Sequence, residues 1–153
     1  MLNVKCQMSI TPRERRLYQQ TILDRSKNPR HFGVANPVHR SKKLENPYCG
    51  DRIEITMAVD ETGTIEDLKF TGSGCALCLA SADLTIETVK GKTIDEARVI
   101  IEHLHQVILG QTELDPTCDR LKVIEGVKRY PIKIKCVTLA WHTLKAAIKN
   151  NCE

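Results

Sequence analysis

Two periodicities of apolar and polar positions divide the chain. Near its start, Thr11-Pro12-Arg13-Glu14 has the features of a helix beginning. Threonine suits the N-cap, proline suits the first helical position, and glutamate three residues on completes a capping box. A helix is predicted from there to about Ser26. Asn28-Pro29 stops it, because the residue before a proline avoids the α region. Residues 28–50 show no periodicity and carry Pro29, Gly33, Pro37 and Pro47. So long a loop is uncommon in a compact domain unless it serves a function.

A two-residue rhythm follows. Ile53, Ile55, Met57 and Val59 alternate with Glu54 and Thr56, the pattern of a half-buried strand. Asp60-Glu61-Thr62-Gly63 reads as a hairpin turn, and residues 64–70 return with Ile65, Leu68 and Phe70 inward. The alternation slips between Ile65 and Leu68, which points to a bulge or a twist there. Thr71-Gly72-Ser73-Gly74 reads as a tight turn ahead of Cys75.

Beyond Cys75 the rhythm becomes helical. Leu79, Ala82, Ile86 and Val89 recur at three or four residues, and Gly91 marks the stop. Thr93 and Glu96 form a second capping box, ahead of a stripe of Ile94, Ala97, Ile101, Leu104 and Ile108 that closes at Gly110. Asp115-Pro116 caps a short helix holding Leu121, Ile124 and Val127, and Pro131 ends it. The last helix is predicted over about Lys135 to Lys149, with Val137, Ala140, Leu144 and Ile148 buried.

Strands in one block and helices in another give the α+β class. The expected architecture is a small antiparallel sheet of about three strands with helices packed on one face. Two visible strands are too few to be stable, so a third is expected within residues 31–48.

Composition adds three constraints. At 153 residues with 41% apolar side chains, residues 1–153 are expected to form one domain with a real core, and 4% aromatics makes that core aliphatic. Residues 1–10 are expected to be a flexible N-terminus. Neither a signal-peptide pattern nor a run of about 18 apolar residues is visible, so a cytoplasmic protein with no membrane span is expected. The net charge of +4 is uneven: residues 1–45 carry ten Lys and Arg against three Asp and Glu. Without an aromatic-interleaved basic stripe or a nucleic-acid motif, a solvated or partner-docking basic face is expected rather than a nucleic-acid surface.

The cysteines change the picture most. There are seven, at positions 6, 49, 75, 78, 118, 136 and 152. An odd count cannot form a fully paired disulfide framework, and in a reducing compartment clustered cysteines point to metal binding or thiol chemistry. Cys49, Cys75 and Cys136 fall at element ends, two of them beside helix N-termini where the dipole favours a thiolate. In an extended segment residues two apart face one side, so Cys49 and Asp51 could share a metal. The paired hairpin strands bring that end to Cys75, and the last helix needs only to pack over it to add Cys136. Three thiolates and one carboxylate make a plausible tetrahedral Zn²⁺ set, with Arg52 and Lys135 as favourable cations nearby. The alternative is that each cysteine is a small buried hydrophobe, which is the expectation for Cys6, Cys118 and Cys152. Cys75-Ala76-Leu77-Cys78 has redox spacing but lacks the βαβ setting, and Cys78 suits a core position equally. His103, His105 and His142 read as helix-borne packing or surface residues, whereas His31 and His39 lie in the long loop and could approach the site.

Three ordered segments carry a resemblance: Asn46-Pro47-Tyr48-Cys49-Gly50-Asp51; Gly72-Ser73-Gly74-Cys75-Ala76 with Ala80-Ser81-Ala82; and Lys135-Cys136-Val137-Thr138-Leu139-Ala140-Trp141. Together they resemble the NifU/IscU-type iron–sulfur cluster assembly family from about Thr11 to Ile148. The family has a scaffold branch, which builds a [2Fe–2S] cluster, and a SufU-type zinc sulfurtransferase branch. The 61 positions from Cys75 to Cys136 resemble the longer SufU spacing, with residues 110–130 as the branch-specific insertion. Lys135 precedes Cys136 where the scaffold branch carries histidine. Arg129-Tyr130-Pro131-Ile132-Lys133 keeps only Pro131 and Lys133 of the scaffold's chaperone-binding segment. Cys78 and Asp83 depart from the usual SufU pattern.

The resemblance implies Zn²⁺ held by Cys49, Asp51, Cys75 and Cys136, with iron or a [2Fe–2S] cluster as the alternative occupant. It implies Cys49 as acceptor of persulfide sulfur from a pyridoxal-phosphate cysteine desulfurase of the SufS type, and delivery to downstream iron–sulfur scaffold proteins. Cys78 and Lys135 are possible accessory residues. The rival expectations are a cluster scaffold on the same residues and a purely structural zinc module.

Overall fold

The computed structural model describes residues 11–47 and 49–149, without the side chains of Glu125, Lys128 and Arg129. Cys6, Cys152 and the expected flexible segment 1–10 lie outside the described residues, as does Tyr48 of the first motif.

Helix α1 spans Pro12–Lys27, and the Thr11 hydroxyl accepts the Glu14 N–H at 3.1 Å as its N-cap. The third strand expected in the long loop is present: β1 is Arg40–Asn46, β2 is Asp51–Val59 and β3 is Ile65–Ser73. They form one antiparallel sheet in the order β1-β2-β3. Ala58 pairs with Asp67 and Val59 with Ile65, so the slip is a bulge with Glu66 as its extra residue. Residues 71–73 do not turn. They continue β3 opposite Arg52, Ile53 and Glu54, so the break before Cys75 falls at Gly74 alone.

Helix α2 spans Ala76–Val89, α3 spans Ile94–Ile108 and α4 spans Pro131–Lys149. A 3₁₀ segment, Pro116–Arg129, with a kink at Cys118, links α3 to α4. Both arms of the Thr93–Glu96 capping box form. The last helix starts at Pro131, earlier than expected, because proline fits the first turn of a helix as readily as it ends the segment before. Cys136 therefore sits in the second turn of α4 rather than at its start.

The inward residues of the sheet are Ile53, Ile55, Met57, Leu68 and Phe70. They meet Ala82, Ile86 and Val89 of α2 and Val137, Ala140, Leu144 and Ile148 of α4 in one aliphatic cluster. The stripe of α3 joins the same cluster together with Leu121, Ile124 and Val127. Residues 31–33 line the free edge of β3, and Ala35 and Asn36 then reach side chains on the sheet face turned away from the cluster. Phe32 pairs with Phe70, and the Ala35 N–H donates to the Thr56 hydroxyl at 2.8 Å.

Two polar bridges fix α4 against α2. The Ser81 hydroxyl donates to the Val137 carbonyl at 2.8 Å, and Trp141 Nε1 donates to the Thr85 hydroxyl at 2.9 Å. All four side chains or backbones involved are buried, so each bond satisfies a group that would otherwise be costly. Helix α1 has no fully buried side chain and is held differently. Arg25 donates to Asp83 Oδ2 at 2.8 Å and to Glu87 Oε1 at 2.9 Å, while the His31 N–H donates to Asp83 Oδ1 at 2.8 Å. Arg120 of the 3₁₀ segment also pairs with Glu87. No helix among the described residues is long and apolar enough to cross a membrane.

Candidate metal centre

The site lies at one end of the sheet, where β1 turns into β2 and β3 runs into α2. The Asn46 carbonyl accepts the N–H groups of Gly50, at 2.9 Å, and Cys49, at 3.3 Å, which closes the turn. Gly50 has φ of +72°, a left-handed conformation that suits glycine. Cys49 thus belongs to a tight turn and not to an extended segment, as its spacing from Asp51 had suggested. The turn nevertheless delivers Cys49 Sγ to 2.9 Å from Asp51 Oδ2.

Asp51 opens β2 and is buried. Its Oδ1 accepts the Cys75 N–H at 2.9 Å, and its Oδ2 lies 3.8 Å from Cys75 Sγ. Cys75 is the N-cap of α2, where its sulfur accepts the Cys78 N–H at 3.4 Å. Cys136, buried on α4, places Sγ 3.8 Å from Cys49 Sγ. Cys49, Asp51 and Cys136 each offer a ligand atom with all three inside 4.8 Å of one another. Cys75 touches Asp51 but is not among the three that share this mutual span.

These distances permit a direct test of whether the residues fit a tetrahedral metal. Two sulfurs each about 2.3 Å from zinc lie about 3.8 Å apart, and a sulfur and an oxygen lie about 3.6 Å apart. Cys49 with Cys136, and Cys75 with Asp51, already match these edges. Cys49 and Asp51 at 2.9 Å are closer, the contact of a thiol donating to a carboxylate. Ionising Cys49 removes that hydrogen bond, and the pair needs to open by about 0.7 Å to reach the tetrahedral edge. The donor set fits.

Without a metal, the surroundings of Cys49 and Cys136 favour the protonated thiol. The hydrogen bond to Asp51, followed by burial, raises the Cys49 thiol above its ordinary range. Burial first, and then Asp51, pushes Cys136 up well beyond it. A divalent cation reverses both effects, since it stabilises the thiolates that the carboxylate opposes.

Other expectations fare unevenly. Arg52 follows Asp51 on an alternating strand, so it faces the opposite side and is exposed. Lys135 is exposed beside Cys136 on α4. The loop histidines stay away from the site. His31 has its ring beside Glu87, and His39 Nδ1 accepts the Val59 N–H at the far end of the sheet. Cys118 is buried in the apolar cluster, as expected of a bystander. The sequence reading missed Asp83 as the anchor of α1 and Ser81 as the clasp on α4. A carboxylate inside the apolar face of a predicted helix was the available signal for the first.

A family profile described as the NifU-like N-terminal domain matches residues 17–152. The chain belongs to this NifU-like family. Among relatives, the zinc-dependent sulfurtransferase SufU of Bacillus subtilis is 38% identical over 86% of this chain and 89% of that protein. The iron–sulfur cluster assembly scaffold protein IscU of Streptococcus pyogenes is 37% identical, over 88% of this chain and 84% of that protein. A crystal structure of a SufU from Fervidobacterium islandicum, described as an iron–sulfur cluster assembly scaffold protein for the SUF system, superposes with a TM-score of 0.77. It is 33% identical and covers 84% of this chain and 94% of that one. The three-stranded antiparallel sheet with its helices is thus the NifU-like fold, and the chain belongs with the proteins of iron–sulfur cluster assembly.

Proposed function

We propose that this protein is a zinc-dependent sulfurtransferase of iron–sulfur cluster assembly. It accepts persulfide sulfur from a pyridoxal-phosphate cysteine desulfurase of the SufS type and passes it to a downstream iron–sulfur scaffold, in the reducing cytoplasm. One observation carries this reading. Cys49 is an exposed thiol on a turn, yet its sulfur lies within 3.8 Å of buried Cys136 and 2.9 Å of buried Asp51. A partner can therefore reach Cys49, and Cys75 beside it, while Asp51 and Cys136 remain covered. The 38% identity to SufU and the lysine at position 135 support the same branch.

Cys49, Asp51, Cys75 and Cys136 would hold the metal. Bound zinc would keep these thiols ionised and withhold Cys49 from oxidants until the partner docks. Transfer itself is the work of Cys49. Its thiolate attacks the outer sulfur of the desulfurase persulfide, a new S–S bond forms, and the desulfurase cysteine leaves as thiolate. The chain then carries Cys49 persulfide, and the desulfurase is reset without net oxidation. The turn closed by Asn46 and Gly50 presents Cys49 outward for this attack.

A scaffold that assembles a [2Fe–2S] cluster on the same side chains is the second reading, supported by the 37% identity to IscU. Purification without air exposure separates the two. The sulfurtransferase should carry near-stoichiometric zinc and raise desulfurase turnover. Cys49→Ala should abolish the stimulation and leave the fold intact, because Cys49 is exposed. Iron with a visible-absorbing cluster, and no zinc, would overturn the proposal in favour of the scaffold.

A further inference from the structure

Two imidazoles meet between the last two helices. His105 of α3 and His142 of α4 have ring centres 4.9 Å apart, with planes tilted by 38°. Trp141 backs His105, edge against face at 5.5 Å. Among the described residues, no group hydrogen-bonds either ring. His103 differs, because its Nε2 accepts the Asp115 N–H at 2.9 Å. The separation suits one shared ion. A zinc about 2.1 Å from an imidazole nitrogen lies about 3.2 Å from that ring's centre. Two rings on one ion then have centres about 4.5 Å apart at a right angle and about 5.2 Å apart at the tetrahedral angle. The observed spacing falls between these limits. His142 is exposed, so its ring can turn to aim a nitrogen at the same point as His105.

We propose that His105 and His142 form a second metal site, separate from the cysteine centre, for a borderline divalent ion such as Zn²⁺. Imidazole pairs suit such ions rather than Mg²⁺ or Ca²⁺, which prefer oxygen donors. Burial holds both rings below the ordinary histidine range, so near neutral pH each is uncharged and offers a lone pair. Glu102 lies three positions before His105 on α3, and positions three apart share a helix face. It is exposed and acts electrostatically on His105, so its carboxylate is placed to swing in as a third donor. Lys145, three positions beyond His142 on α4, works against a cation at both rings. Its side chain is exposed, so the ammonium can withdraw into water, at a cost to affinity.

Zinc titration of the isotope-labelled, full-length chain at about pH 7.5, above the histidine range, tests this through the imidazole nitrogen NMR signals. Zinc beyond what the cysteines hold should shift the ring nitrogens of His105 and His142 together, along one saturating curve, and leave those of His103 in place. His142→Gln should abolish the shift at His105. Lys145→Gln removes an opposing charge from the surface and should tighten the site about threefold, which a pair that merely stacks would not show. Rings that stay unmoved up to about 1 mM free zinc overturn the proposal. So does a His105 shift that persists in His142→Gln, or a Lys145→Gln variant that binds no more tightly than wild type. The readout is at the rings themselves, so the result stands whether the cysteines hold zinc, iron or no metal.

Discussion

Asp51 Oδ1 accepts the backbone N–H of Cys75 at 2.9 Å, while the other oxygen of the same carboxylate faces the sulfurs of Cys49 and Cys75 at 2.9 and 3.8 Å. One side chain thus fixes the start of α2 and furnishes a donor to the site. Substitution can separate the two tasks. Asp51→Asn keeps an oxygen for the Cys75 N–H but removes the charge, whereas Asp51→Ala removes both. In metal-free protein, urea denaturation should place Asp51→Ala about 1 kcal/mol below Asp51→Asn. Both should bind zinc at least about tenfold more weakly than wild type in competition with a chromophoric chelator. Wild-type affinity in Asp51→Asn would exclude Asp51 from the ligand set.

Gly74 is where the chain must pass close to that carboxylate. A Cβ there would lie 2.4 Å from Asp51 Oδ1 and 3.1 Å from Asp51 Cβ. The second contact sits next to the β2 backbone, so Asp51 cannot simply swing aside. Gly74→Ala should cost about 1–3 kcal/mol and should lower zinc retention alongside stability. Zinc content measured on the purified variant, together with its urea midpoint, checks this. Two unchanged values would mean that the turn has slack the geometry does not suggest.

Periodic segments were legible in the sequence because local signals and tertiary burial agreed. The Thr93 capping box, the stripe from Ile94 to Ile108 and the bulge at Glu66 all belong to this class. Strand β1 carried too few apolar residues to show a rhythm, since Arg40, Ser41, Lys42 and Lys43 edge the sheet. Its presence followed only from the instability of a two-stranded sheet. At the site, residues named from the sequence lie near one another, but not by the route their spacing suggested. Cys49 reaches Asp51 through a left-handed glycine turn, not through strand alternation. The role of Asp83 was hidden because its partners, Arg25 and His31, are more than fifty positions away.

That distant pair makes a prediction about helix α1. No side chain of α1 is fully buried, so its docking leans on the bonds from Arg25 to Asp83 and Glu87. Arg25→Met leaves Asp83, which has no exposed surface, facing only the His31 N–H. Loss of one partner from a buried ion pair typically costs about 3–5 kcal/mol. Because the Arg25 side chain is itself 13% exposed, a value near the lower end, about 3 kcal/mol, is expected. Amide hydrogen exchange should quicken across residues 12–27 more than in α2 or α4. Uniform protection in the variant would show that apolar contacts alone hold the helix.

The histidine pair on the opposite side of the core should give stability a distinct pH dependence. His105 and His142 stack with ring centroids 4.9 Å apart, and His105 sets its edge against Trp141 at 5.5 Å. Burial holds both below the ordinary histidine range. Each also feels Lys145, and His105 further feels His142 as like charges, while Glu102 opposes the shift at His105. The folded state therefore favours neutral rings, and the unfolded chain binds protons first. Stability should be fully present above the unfolded value of about 6.5 and should fall as pH drops through the lower folded values. The single tryptophan, Trp141, reports unfolding by fluorescence. Its urea midpoint should be lower at about pH 5.5 than at about pH 7.5, and His142→Gln should shrink the difference. An equal midpoint at the two pH values would contradict the direction of both shifts. The carboxylates held low by hydrogen bonds or ion pairs, such as Glu87 and Asp60, titrate below this window, so the histidines are the groups it isolates.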